Sequence, residues 1–219
     1  MGWGRLLAAI AVCNLAYWLA LLLAARFYGI RVREHCVGIG PVLFGNGKLQ
    51  LRLLPISAWV RMALLADRRP EEAERVCLDA KAVPIQLIVA ASGCVALLWL
   101  GACLNEGASL DSFRAGWSQL PFGALPPWGE AQHWLAALSD WTAQSGFLAM
   151  LPVVAAKMAV FNLLPLPGAA GGIMLRLLVP MGARPAFEHS NVFRLWMAAH
   201  LLWLFCWLAA LALHVWPFG

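Results

Sequence analysis

Acidic groups are scarce in this sequence, 11 in all. Residues 1–33 contain no histidine, aspartate or glutamate, and from Trp141 to the C-terminus Glu188 is the only acid. Charged residues of either sign make up 12% of the 219, against roughly 25% in a soluble domain. Stretches this long without charge exclude a chain solvated on every side. The six cysteines (13, 36, 77, 94, 103, 206) include no Cys-x-x-Cys pair. Neither a disulfide framework nor a zinc knuckle is expected from them, and small apolar packing is their use. No internal repeat or low-complexity linker divides the sequence, so residues 1–219 are expected to form one domain.

Apolar residues are what the sequence has in excess, at 62%. Four segments approach the ~20 apolar residues that cross a ~30 Å hydrocarbon core. They lie at about 6–27, 83–104, 146–164 and 195–216. The expected fold class is therefore an all-α membrane protein with four transmembrane helices. Ten of the sixteen Lys and Arg fall between Arg26 and Lys81, and Arg176, Arg184 and Arg194 lie between the third and fourth segments. The 105–145 connection holds only Arg114. By the positive-inside rule, connections 28–82 and 165–194 are cytoplasmic and both termini lie outside, as in a bacterial inner membrane. The net charge of +5 thus records topology and does not imply nucleic acid. The first apolar stretch exceeds a signal h-region and runs into Arg26, Arg31 and Arg33, which reads as a span with a stop.

Between the first two spans, "GIGPVLFGNGKLQLRLLP" breaks the helical pattern. Leu49, Leu51 and Leu53 alternate with Gln50 and Arg52, and Asn46-Gly47 is a strong hairpin signal. Strands are expected at about 41–44 and 48–54, a β-hairpin spanning 41–54 on the cytoplasmic side. Open strand edges are not tolerated against lipid, so the hairpin must lie in a cavity, at the interface or against helices. One edge of the 48–54 strand is expected to stay available. The segment "ADRRPEEAERVCLDAK", with Glu71, Glu72 and Glu74, reads as a solvated face. Trp117, Trp128, Trp134 and Trp141 mark 105–145 as an outer interfacial connection on short amphipathic helices lying flat.

In order and spacing these segments resemble the site-2 proteases, which are intramembrane zinc metalloproteases. The resemblance rests on "AARFYGIRV", "VGIGPVLF…LQLRLLPISAWVRM", "AASGCVALL" and "FNLLPLPGAAGG", and covers nearly all of the chain outside 105–145. It implies a His-Glu-x-x-His motif in the first span, placed by Ala25, Arg26 and Gly29, and a third ligand in Asn-x-x-Pro-x-Pro-x-x-Asp-Gly-Gly. Asn162, Pro165, Pro167, Gly171 and Gly172 are all in place. The two histidine positions, however, hold Tyr17 and Leu21, the glutamate position holds Trp18, and the aspartate position holds Ala170. A catalytic zinc needs three protein ligands and an open position for water, and hydrolysis needs a base beside that water. None of the four positions supplies either.

Other candidates for chemistry are few. His35 and Cys36 are adjacent on a strand and so face opposite ways. His133 and His189 read as interfacial and solvated. His200 and His214 lie about 21 Å apart along one helix and cannot share a metal. Lys157 is different, because it sits mid-span with no acid at its depth. Three remedies are open to it: snorkelling, loss of its proton, or an acidic residue from another membrane protein.

The expected function is accordingly that of a catalytically inactive site-2 protease homologue, a pseudoprotease. It would act as a binding, scaffold or regulatory subunit for a membrane partner or transmembrane segment within the lipid bilayer. The resemblance implies that an extended segment adds to the hairpin. The expected groove comprises Gly38, Gly40, Gln50, Arg52, Lys157, Asn162, Pro165, Pro167, Gly171 and Gly172. No cofactor or metal is expected. Two alternatives stand beside this: an active protease with a non-standard or partner-supplied metal site, which would need zinc, and a purely structural subunit of a larger membrane complex.

Overall fold

A computed structural model describes residues 2–68, 70–180 and 187–216. Arg184, one of the basic residues counted for topology, lies outside them. The fold is mostly helical, with one small antiparallel sheet. Its helices are α1 (Gly2–Phe27), α2 (Val83–Phe122), α3 (Glu130–Gln144), α4 (Phe147–Leu163), α5 (Ala170–Leu177) and α6 (Asn191–Val215). The strands are β1 (Val32–Gly45) and β2 (Leu49–Met62). By length and composition α1, α2 and α6 are long and apolar enough to cross a membrane, whereas α4 is apolar but has 17 residues.

The core is a three-helix packing. One stripe of α1, Leu6, Ala9, Cys13, Tyr17 and Leu21, meets Cys94 and Leu97 of α2 and Met150, Leu151, Val154, Ala155 and Ala159 of α4. The α1 spacing of three and four keeps that stripe on one helix face. Helix α1 stops in a Schellman turn. Ile30 N donates to Ala25 O at 2.8 Å and Gly29 N to Arg26 O at 3.1 Å. Gly29 takes φ +63°, which a residue without a Cβ adopts freely. Ile30 and Ala25 are both buried against each other's neighbourhood, the hydrophobic contact that accompanies such a turn.

Helix α2 is two helices. Asn105, at φ −163° and ψ 99°, interrupts it, and its Oδ1 accepts from Ala108 N at 3.0 Å, capping the second half. The halves then lie close enough that a Cβ on Gly101 would sit 2.5 Å from Ser109 Oγ. The second half continues along α4, where a Cβ on Gly116 would be 3.0 Å from Val160. The start of the connection read as interfacial is thus a helix packed on the core. At the far end of α3, Arg5 Nη2 of α1 donates to Ala143 O at 3.2 Å.

The hairpin is longer than the alternation predicts, 32–45 and 49–62 in place of 41–44 and 48–54. Pro55 interrupts the donor ladder without ending the strand, as prolines do at bulges. Asn46 Oδ1 accepts from Leu49 N at 3.0 Å and Gly47 takes φ +79°, so the Asn-Gly turn stands where expected. Repeated register shifts bend both strands. As a result residues 35–37 face Val60–Ala58 on one side and Leu49–Leu51 on the other, while Leu51 and Gln50 also pair with Phe44 and Gly45. Gly38 makes the bend possible. Its φ is +104°, and a Cβ there would lie 2.8 Å from Arg52 O.

Of the edge expected on 48–54, Gln50 and Leu51 are paired on both sides, whereas Arg52 and Leu54 are paired on one side only. Ala58, Trp59 and Val60 are paired with β1 alone. The sheet lies against α1, where Asn14, buried in mid-helix, donates from Nδ2 to Pro55 O at 3.1 Å. The acidic segment also departs from a solvated face, because Glu72 is buried between Arg33 and Arg31, the latter at 3.0 Å. A buried carboxylate between two guanidiniums holds the connection to the start of β1.

Candidate functional site

Four elements enclose a cavity of about 270 Å³. From α1 come Tyr17 and Leu21, and from α2 Val89 and Ala90. The edge of β2 supplies Ala58 to Met62, and the end of α4, the turn after it and the start of α5 supply Asn162, Gly168 and Ala170. Tyr17 and Leu21 are one helical turn apart and project from the same face. Ala170 belongs to the same buried cluster and closes the cavity opposite them. Three positions far apart in sequence are thus brought to one chamber.

Backbone geometry built from small residues holds this arrangement. A Cβ on Gly171 would be 2.0 Å from Leu163 O, and one on Gly172 would be 2.0 Å from Leu166 O. The start of α5 therefore rests directly on the carbonyls of the turn, an approach that any side chain would prevent. Pro165 and Pro167 keep that turn out of helix, Gly168 takes φ +86°, and Trp196 Nε1 of α6 donates to Pro165 O at 2.6 Å. On the other wall, a Cβ on Gly93 would lie 2.4 Å from the ring of Tyr17. The aromatic ring fills the space against bare α2 backbone.

The chamber does not suit the zinc that the resemblance implies. Its side chains at the three ligand positions are a phenol, an isobutyl group and a methyl, and zinc sites use thiolate, imidazole or carboxylate. Among the described residues no group of three or more His, Cys, Asp and Glu is placed to hold a metal ion. Trp18 turns away from the chamber and packs on His35 of β1 with ring centroids 5.4 Å apart.

The expected groove residues divide into three sets. Asn162 lines the chamber, and Pro165, Pro167, Gly171 and Gly172 shape its lower wall. Gly38, Gly40, Gln50 and Arg52 belong to the hairpin and line no part of the chamber. Gln50 instead accepts from Arg52 within the sheet, at 3.0 Å. Lys157 lies elsewhere, donating from Nζ to Gln119 Oε1 in the second half of α2. Asn162 donates from Nδ2 to Met158 O of its own helix at 2.8 Å. What the sequence reading missed is the edge at Ala58–Met62. The stretch "ISAWVRM", with its aromatic and β-branched residues beyond Pro55, carried that signal.

Compared with known protein families, the chain matches no family model, and no curated protein matches it.

Proposed function

We propose that this chain is an integral membrane protein with the site-2 protease arrangement and without its chemistry, a pseudoprotease that holds an extended segment of a membrane partner. In this reading α1, the first half of α2, α4 and α6 are the four spans, with both termini outside. The sheet then lies on the cytoplasmic side of a bacterial inner membrane. The observation that carries the reading is the chamber itself, where the edge Ala58–Val60 runs beside Tyr17, Leu21 and Ala170. A strand edge with one neighbour recruits a second strand through its backbone. Against lipid that recruitment is favoured further, because unpaired backbone groups have no water to turn to. A bound strand would present alternate side chains to the chamber. Its walls are mostly apolar, with Arg61 and Asn162 as polar members, so a leucine- or phenylalanine-sized side chain suits it.

The test separates holding from cutting. Photocrosslinking from position 58 or 59 should capture the partner segment, and Ala170→Phe, which fills the chamber, should abolish capture while leaving the protein in the membrane. The captured segment should be full length. Cleaved product together with one zinc per chain, removable by chelator, would overturn the reading in favour of an active protease. Equal capture by Ala170→Phe would overturn the role of the chamber.

A further inference from the structure

On a neighbouring face of α1 runs a second groove. Trp18, Leu22 and Arg26 are spaced by four and share one stripe of the helix. Facing that stripe, Ile30, Val32, His35 and Lys48 complete with Leu22 and Arg26 a cavity of about 360 Å³. Its floor is aliphatic and its polar members are all cationic or capable of becoming so. Among the described residues, Arg26 and Lys48 make no salt bridge and no side-chain hydrogen bond. Behind His35 packs Trp18, and two buried atoms of this ring pair, His35 Nδ1 and Trp18 Nε1, have no partner. They belong to rings in contact with each other. An indole N–H can only donate, so its missing partner must be an acceptor.

Orphaned buried donors are rare in native proteins, and each calls for a group that completes it. The geometry points to a phosphate oxyanion site in this groove, bounded by Arg26, Lys48 and His35, that takes the headgroup of an anionic phospholipid. Three features favour a lipid as the source of the phosphate. The floor of Leu22, Ile30 and Val32 offers an acyl chain an apolar track beside the charges. The groove opens at the end of an apolar helix of membrane-spanning length, where a headgroup would lie. Basic residues at such a level attract anionic lipid strongly. Arg26 supplies a planar fork suited to phosphate oxygens and Lys48 a mobile point charge. The inference is independent of what the chamber binds, since the two cavities have no lining residue in common.

The experiment uses the full chain in mild detergent, with native mass spectrometry of retained lipid after addition of phosphatidylglycerol or phosphatidylcholine. The wild-type protein should retain phosphatidylglycerol preferentially. Arg26→Gln/Lys48→Gln should lower that retention by roughly tenfold or more, in line with two lost interfacial cations. The charge-matched control Arg75→Gln/Lys81→Gln, in the connection before α2, should not. Inorganic phosphate is the second arm. If millimolar phosphate displaces the lipid from the wild type alone, the site recognises the oxyanion itself, and if it does not, the acyl chain contributes to the selection. Equal retention of the two lipids, or equal loss in the test and control pairs, overturns the inference and leaves a bound water between Trp18 and His35 as the completing group.

Discussion

The contact between Lys157 and Gln119 permits a quantitative test of how this fold accommodates a cation inside an apolar helix. Lys157 is the eleventh of the 17 residues of α4, and its Nζ donates to Gln119 Oε1. An ammonium at the centre of a spanning helix costs about 2.5–3.5 kcal/mol on insertion scales. A hydrogen bond to a charged group returns about 1.5–3 kcal/mol. The two figures nearly cancel, so an in-chain acceptor stands as a remedy beside snorkelling, loss of the proton and an acid from another membrane protein. Gln119→Leu should therefore destabilise the protein by about 1.5–3 kcal/mol, because the cation loses the dipole oriented on it. Lys157→Met should be neutral or stabilising by up to about 2 kcal/mol, since the insertion cost goes with the bond. In the double variant most of the Gln119→Leu loss should vanish. The coupling energy, about 1.5–3 kcal/mol, is read from a double-mutant cycle of unfolding by dodecyl sulfate in mixed micelles, followed by far-ultraviolet circular dichroism. Additive effects within about 0.3 kcal/mol would refute the pairing. Loss of partner capture on Lys157→Met would favour the external acid.

Three further outcomes are expected. Gly93→Ala places a methyl 2.4 Å from the Tyr17 ring and should cost about 1–3 kcal/mol in the same unfolding assay; Tyr17→Leu should rescue it, and no rescue would show that the strain lies elsewhere. Burial, and then the nearby charge of Lys48, hold the His35 imidazole below its ordinary value of 6.5. The unfolded chain therefore takes up the proton first, so stability is unaffected by this group above about pH 6.5 and falls as pH drops below it; nitrogen-15 chemical shifts of the imidazole give the titration, and a midpoint above 6.5 would contradict the burial. Finally, Tyr17→His/Leu21→His/Ala170→Asp restores three zinc ligands to a chamber already holding those positions together, and should bind one zinc per chain by elemental analysis; a folded variant without zinc would count against the site-2 protease arrangement.

Much of the helical scaffold was legible because its signals are local. The apolar lengths of α1, α2 and α6 and the Asn46-Gly47 turn each declare themselves within one continuous stretch of chain. Less legible were the features that depend on a distant partner. Nothing near Lys157 in sequence announces Gln119, 38 residues earlier. Asn105 reads as the end of a span, and only its extended backbone and its cap on Ala108 reveal that a second helix folds back there. The hairpin was misjudged for a different reason. Its alternation was read as two strands with a free outer edge, while the glycine at 38 lets β1 double over and cover that edge at Gln50 and Leu51, and the open edge beside the chamber is Ala58–Val60. A single φ of +104° thus moves the candidate docking edge by about eight residues, from Leu51 to Trp59.

The chamber itself argues that its shape and its chemistry are separable. Metal ligands hold a site together when present, since their bonds cross-link the elements that carry them. Here the same three elements are held by other means. Tyr17 rests on the bare backbone of Gly93, Gly171 and Gly172 let α5 seat on the carbonyls of the preceding turn, and Trp196 ties that turn to α6. Each contact demands a residue type for steric reasons, glycine at 93, 171 and 172 and a flat ring at 17, and none demands an acid or an imidazole. Those steric demands explain why the turn "NLLPLPGAAGG" keeps its prolines and glycines although position 170 is alanine. They also fix what the chamber offers a ligand. A catalytic site would need room for water beside a polar base, whereas this one has an aromatic ring, aliphatic walls and a strand edge as its main source of directional hydrogen bonds. Recognition at such a place rests on backbone pairing with one apolar anchor, which favours an extended segment over a small polar molecule.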